Sequence, residues 1–237
     1  VNYALVANAG GKNRPKKKNP TVYEDIKEKR KKELENKRDE WLVDVRELTR
    51  DIKVKTKDDL TLYGHIFKQA QKTDKWIIVV HGYQSSEKKA QILAANFYEL
   101  GYNVLTYSLR GHKPSQGKYI GMGGRDSEDL MNFVAYIIKE NPKAQISLHG
   151  TSMGAATVLN ASGFDLPKNI TSIIDDCGYS SVWEIFSKEL KLRFKLPSFP
   201  VLNMANTMAK IKAGIDLKKI RPIDQVAKAK VPIMFIH

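Results

Sequence analysis

The sequence predicts an α/β protein whose mostly parallel sheet carries helices on both faces. Three observations lead there. Short apolar runs such as WIIVVHG are uninterrupted, the pattern of strands buried on both sides. Between them lie amphipathic stretches at helical spacing, as in residues 126–140, where Leu130, Phe133, Val134, Ile137 and Ile138 share one face. The links are short, and strand–helix alternation with short links builds a covered parallel sheet.

In chain order, residues 1–20 read as a basic linker, since NAGGKNRPKKKNP combines Gly, Pro and Asn with a lysine cluster. Residues 21–50 read as a charged helix. Thr21 and Glu24 have capping-box spacing, and Glu28/Lys32 and Glu33/Lys37 stand at i,i+4. Its apolar residues thin to Ile26, Leu34, Trp41, Val45 and Leu48, so only the C-terminal half is expected to dock. The apolar repeat fails near Lys29–Lys32, which argues against a coiled coil.

Residues 51–237 form the expected core. DIKVKT and LTLYGHIF alternate and predict a β-hairpin across Lys-Asp-Asp. WIIVVHG, YNVLTYS, QISLHG, ITSIIDDCG and VPIMFIH follow as strands, with helices over AQILAANFYELG, 126–140 and SMGAATVLNASG. Residues 180–230 are too long for a simple crossover and mix Leu, Phe and Met with Lys and Arg. They predict a helical cap insertion, in which Lys188, Lys191, Arg193 and Lys195 either meet an anionic group of the substrate or face water.

The chain has 40 Lys+Arg against 26 Asp+Glu, a formal charge of +14. Such a balance suits an anionic membrane or envelope polymer reached through the basic N-terminus, or simply a solvated basic surface. No nucleic-acid partner is expected, because no basic surface interleaved with aromatics and no recognition motif is found. The single cysteine, Cys177, excludes a disulfide framework and a multi-Cys metal site, and in its apolar stretch it is expected to be buried. Neither a cofactor nor a metal is expected. No run of 18 apolar residues is present. The opening VNYALVANAGG, without Met, reads as the remnant of a removed signal or anchor helix.

Chemistry enters at ISLHGTSMGAATVL. Gly150-Thr151-Ser152-Met153-Gly154 matches G-x-S-x-G between an apolar strand and a small-residue helix, the setting of a nucleophile elbow. There the turn projects a serine hydroxyl past the sheet edge and aims a helix N-terminus at it. Upstream, VVHGYQSS ends a strand at His81-Gly82-Tyr83. The backbone N–H groups of Tyr83 and Met153 are expected to converge on an oxyanion, with Gly82 allowing close approach and His81 propping the loop.

These segments, with YSLRGHKPSQGKYIGMGGRDSEDL and IIDDCGY followed by VPIMFIH, resemble the α/β-hydrolase superfamily, and most closely bacterial serine hydrolases related to serine aminopeptidases and prolyl oligopeptidase-like enzymes. The resemblance implies the α/β-hydrolase fold, Ser152 as nucleophile and Tyr83 and Met153 as oxyanion donors. It also implies a cell-surface or membrane-associated protein, whereas the Lys16–Lys18 cluster beside an anchor would argue for the cytoplasm. The family's Asp-x-Arg-Gly-x-Gly-x-Ser stands here as Ser108-Leu109-Arg110-Gly111-His112-Lys113-Pro114-Ser115, without the Asp and the second Gly.

A serine needs a base, and in this fold the order is Ser, then Asp or Glu, then His. His65, His81, His112 and His149 all precede the elbow serine, and His237 ends the last strand. Asp175 and Asp176 are expected to bond loop N–H groups. The triad acid and histidine are therefore expected beyond residue 237, the alternative being an inactive binding protein at an anionic surface. The substrate read from the motifs is a carboxylic ester, with peptide or amide as the second choice.

Overall fold

The computed structural model describes residues 5–6 and 21–237. Seven strands form one sheet: β1 (Thr49–Lys55), β2 (Thr61–Phe67), β3 (Lys75–Val80), β4 (Asn103–Tyr107), β5 (Gln145–Thr151), β6 (Ile170–Asp176) and β7 (Ile233–Ile236). Their order is β1-β2-β4-β3-β5-β6-β7. β1/β2 and β2/β4 pair antiparallel and the remaining neighbours pair parallel. The mostly parallel α/β sheet expected from the alternation is present.

The central strands are apolar on both faces because both are covered. On β3, Trp76, Ile78 and Val80 point into one core with Leu105, Phe133 and Leu148. Ile77 and Val79 point the other way, toward Trp41, Phe67 and Val104. Helix α1 (Val22–Asp44) starts in the capping box that Thr21 and Glu24 imply, and Glu24 N–H donates to the Thr21 hydroxyl at 3.3 Å. Its ion pairs differ from the expected i,i+4 set. Lys31 meets Glu28 and Arg30 meets Glu33 at i,i+3, while Lys37 reaches across to Glu99. Trp41 and Val45 are buried and Ile26 is exposed, so α1 docks through its C-terminal end, where Trp41 packs 4.7 Å from Phe67.

Helices α2 (Glu87–Glu99), α3 (Arg125–Glu140) and α4 (Met153–Ala161) connect the parallel strands. Between β6 and β7 come α5 (Val182–Phe194), α6 (Val201–Ala213) and α7 (Pro222–Val226). One expectation is corrected. Cys177 is exposed, because it follows the strand end at φ +56° instead of continuing into the core. Strand β7 is the outer strand beside β6, and its Met234, Phe235 and Ile236 are exposed. The basic cluster Lys16–Lys18 lies outside the described residues. Leu5, within the segment read as linker, is buried, and its carbonyl accepts from Ile120 N–H at 2.8 Å.

Candidate active site

Register brings the two predicted loops together. β3 and β5 run parallel with Val79 opposite His149 and Val80 opposite Gly150. The residues that follow, His81-Gly82 and Thr151-Ser152, are therefore side by side at the same sheet edge. A Cβ placed on Gly82 would stand 3.1 Å from Thr151 O and 3.2 Å from Ser152 Cβ, a tight contact that glycine avoids where the backbone before Tyr83 approaches the elbow.

Ser152 occupies the turn between β5 and α4 at φ +57°, ψ −114°, a conformation in which glycine is ordinary and serine is strained by about 1–3 kcal/mol. The turn is held by Ser152 N–H donating to Asp176 O at 2.8 Å. Close packing on either side of it leaves no room for side chains. A Cβ on Gly150 would lie 2.1 Å from Gly154 O, and one on Gly154 would lie 2.3 Å from Val80 O. A serine before a helix ordinarily accepts a bond from the first turn, but this one makes no side-chain cap bond. The Ser152 side chain is exposed at the sheet edge, and Met153 opens the helix behind it.

The hydroxyl borders a cavity of about 370 Å³. Its floor includes Tyr83, Met153, Met122 and Tyr179, and α5 and α6 contribute Phe186, Leu190 and Leu202. Arg193 and Glu189, paired with each other one helical turn apart, supply its charge. The chemistry such a space suits is an apolar chain next to a reacting carbonyl. Leu5, Met122 and Tyr179 were missed by the sequence reading. Tyr179 O–H donates to Met122 O at 2.8 Å, a link between loops 57 residues apart that no local motif signals.

None of the five histidines, all of them described, lines this cavity. His81 is buried, its Nε2 accepting from Leu109 N–H at 3.1 Å and its Nδ1–H donating to Gly82 O at 2.9 Å. Both nitrogens being used, it ties the end of β3 to the end of β4. Burial and the neighbouring His112 ring push it down to about 3. His112 is buried, with Nδ1 on Arg110 O at 3.1 Å. His149 packs 5.7 Å from Phe97, and burial pushes it down to about 4. His65 bonds Glu87 at 2.7 Å, which raises its pKa. Asp176 accepts from the Thr151 hydroxyl at 3.1 Å, bracing the elbow, while Asp175 is buried beside it with its pKa raised by burial.

The loop that departs from the familiar spacing is fixed by Arg110. Its guanidinium forks onto Asp129 of α3 at 2.6 and 2.8 Å and reaches Asp58 of the hairpin turn at 3.0 and 3.1 Å. Ser115 closes the loop by donating to Ser108 O and accepting from Tyr63 N–H at 2.8 Å.

Compared with known proteins, residues 71–212 match the family model described as serine aminopeptidase, S33. The chain belongs to this α/β-hydrolase family. It is 31% identical over 166 residues to the uncharacterized protein YqkD of Bacillus subtilis, covering 70% of this chain and 54% of YqkD. The chain thus spans about half the length of that curated relative. Among solved structures, an esterase of Pyrococcus furiosus superposes with a TM-score of 0.62 at 24% identity, over 79% of this chain and 68% of that one. The acylaminoacyl peptidase of Pyrococcus horikoshii gives 0.54 at 21%, over 80% of this chain and 31% of that one. At those identities the two structures speak for the α/β-hydrolase fold.

Proposed function

We propose that this member of the family is a serine hydrolase cleaving carboxylic esters through an acyl-enzyme at Ser152. The observation that carries the reading is the strained, uncapped, exposed serine at the mouth of an apolar cavity. In the proposed reaction Ser152 Oγ attacks the ester carbonyl as a base takes its proton. The carbonyl oxygen becomes an oxyanion beside the N–H groups of Tyr83 and Met153, the latter at the open end of a helix where first-turn donors lack intrahelical partners. Collapse expels the alcohol, and water then frees the acid. An ester is preferred to a peptide because Glu189, which could otherwise take a free amino group, is engaged by Arg193.

No histidine lines the cavity, and the reaction is proposed for the natural full-length protein. Hydrolysis of nitrophenyl acyl esters tests it: turnover is expected for the wild type and loss to background for Ser152→Ala. Equal turnover in both would remove Ser152 from the reaction. The second reading, a non-catalytic binder at an anionic surface, is favoured by the absence of a histidine facing the cavity. It predicts no turnover by either protein.

A further inference from the structure

The outer side of α5 and α6 is apolar where water should make it polar. On α6, Leu202, Asn206, Ala209 and Ala213 recur at helical spacing and are buried. At 100° per residue, Met204, Met208 and Ile211 fall on the opposite side of the helix and are exposed, Met204 by 67% and Ile211 by 73%, with Val201 exposed at the margin of that side. Exposed apolar side chains continue with Leu192 near the end of α5, at 76%, and Phe199 in the link, at 74%. Large apolar side chains gathered in this way mark an interaction surface.

Charge says what kind. Residues 182–213 hold six basic residues and two acidic ones. Arg193 is engaged by Glu189 and Lys210 by Asp216. Lys188, Lys191, Lys195 and Lys212 make no ion pair among the described residues, and Lys195 and Lys212 adjoin the ridge residues Leu196 and Ile211 in sequence. Apolar groups flanked by unpaired lysines fit a layer with an oily interior and anionic headgroups. A second copy of the chain fits poorly, because self-pairing would bring the same lysines together. Phe194 and Val201 belong both to this exposed face and to the wall of the Ser152 cavity, so the ridge and the cavity are continuous.

We propose that the outer face of α5, α6 and their link docks on an anionic lipid surface, placing the cavity mouth against the acyl layer. The lipid-ester substrate this implies rests on the hydrolase reading above; the docking does not. The test is co-sedimentation of the full-length protein with phosphatidylcholine vesicles, with and without an equal part of phosphatidylglycerol. Wild type and Ser152→Ala are measured alike, so a failed hydrolase reading leaves the outcome intact. Strong binding to the anionic vesicles alone is expected. Met204→Glu with Ile211→Glu should weaken it by at least about tenfold, since two apolar side chains lose their burial. Neutralising Lys16–Lys18 with glutamine should weaken it less than the ridge variant does. Both ridge residues are exposed, so the melting temperature should not move. Unchanged binding in the ridge variant, or no binding by the wild type, overturns the proposal. So does a dimer that the same two substitutions dissolve, or a fall in melting temperature that shows the ridge to be covered by the chain itself.

Discussion

At Ser152 the backbone is held at a positive φ by its surroundings, among them Gly154, whose Cβ would stand 2.3 Å from Val80 O. Gly154→Ala should therefore cost about 3 kcal/mol in urea unfolding, the upper range for overpacking, and should lower activity more than a substitution elsewhere of equal cost. His149 offers a cleaner electrostatic test. Folded, it stays neutral down to about pH 4; unfolded, it takes up a proton near the ordinary value of 6.5. Stability from its neutral form is present above 6.5 and lost as the pH falls toward 4. His149→Leu removes that loss. Its stability relative to wild type should rise by about 2 kcal/mol between pH 8 and pH 5, at 1.36 kcal/mol per unit. A pH-independent difference would show that the imidazole is not held neutral. The elbow serine and His81 were legible in sequence because their chemistry is local: glycine spacing and a strand-ending turn. Cys177 was not, since its exposure depends on where β6 stops.

Elements are joined by a few buried polar ties. Arg110 connects the hairpin turn, through Asp58, to α3, through Asp129, and both Arg110 and Asp129 are buried. Arg110→Met leaves the Asp129 carboxylate in the interior without its partner and should cost about 3–5 kcal/mol in denaturant unfolding. A cost below about 1 kcal/mol, the scale of a surface pair, would show that water reaches the site. Strands and helices were readable because each has one period, and the apolar part of the α3 face was named, with Leu130, Phe133, Val134 and Ile137 buried and Ile138 partly so, whereas its buried Asp126, Ser127 and Asp129 were not. The ion pairs of α1 were not, since i,i+3 and i,i+4 partners compete on an exposed surface for small differences in energy. Nor was the packing of Leu5, which depends on residues more than a hundred positions away.

For the molecule as a whole, sheet order places the elbow and the Gly82 turn at one edge, and α5 and α6, two of the three helices between β6 and β7, line the space above them. That roof is apolar, so kcat/KM should climb with acyl length from acetyl esters until the cavity fills. Each methylene removed from water contributes about 0.8 kcal/mol, or about fourfold at most. A flat profile would detach the cavity from the reaction. The architecture was legible from alternation alone, whereas the cavity needed long-range contacts that a sequence does not display. The central claim, a nucleophilic Ser152, is tested most directly by treating the natural full-length protein with a fluorophosphonate and mapping the adduct by peptide mass spectrometry. The account predicts one phosphonylated residue, Ser152, in the peptide spanning the elbow. An adduct on any other residue, or none on a protein that hydrolyses esters, would contradict it.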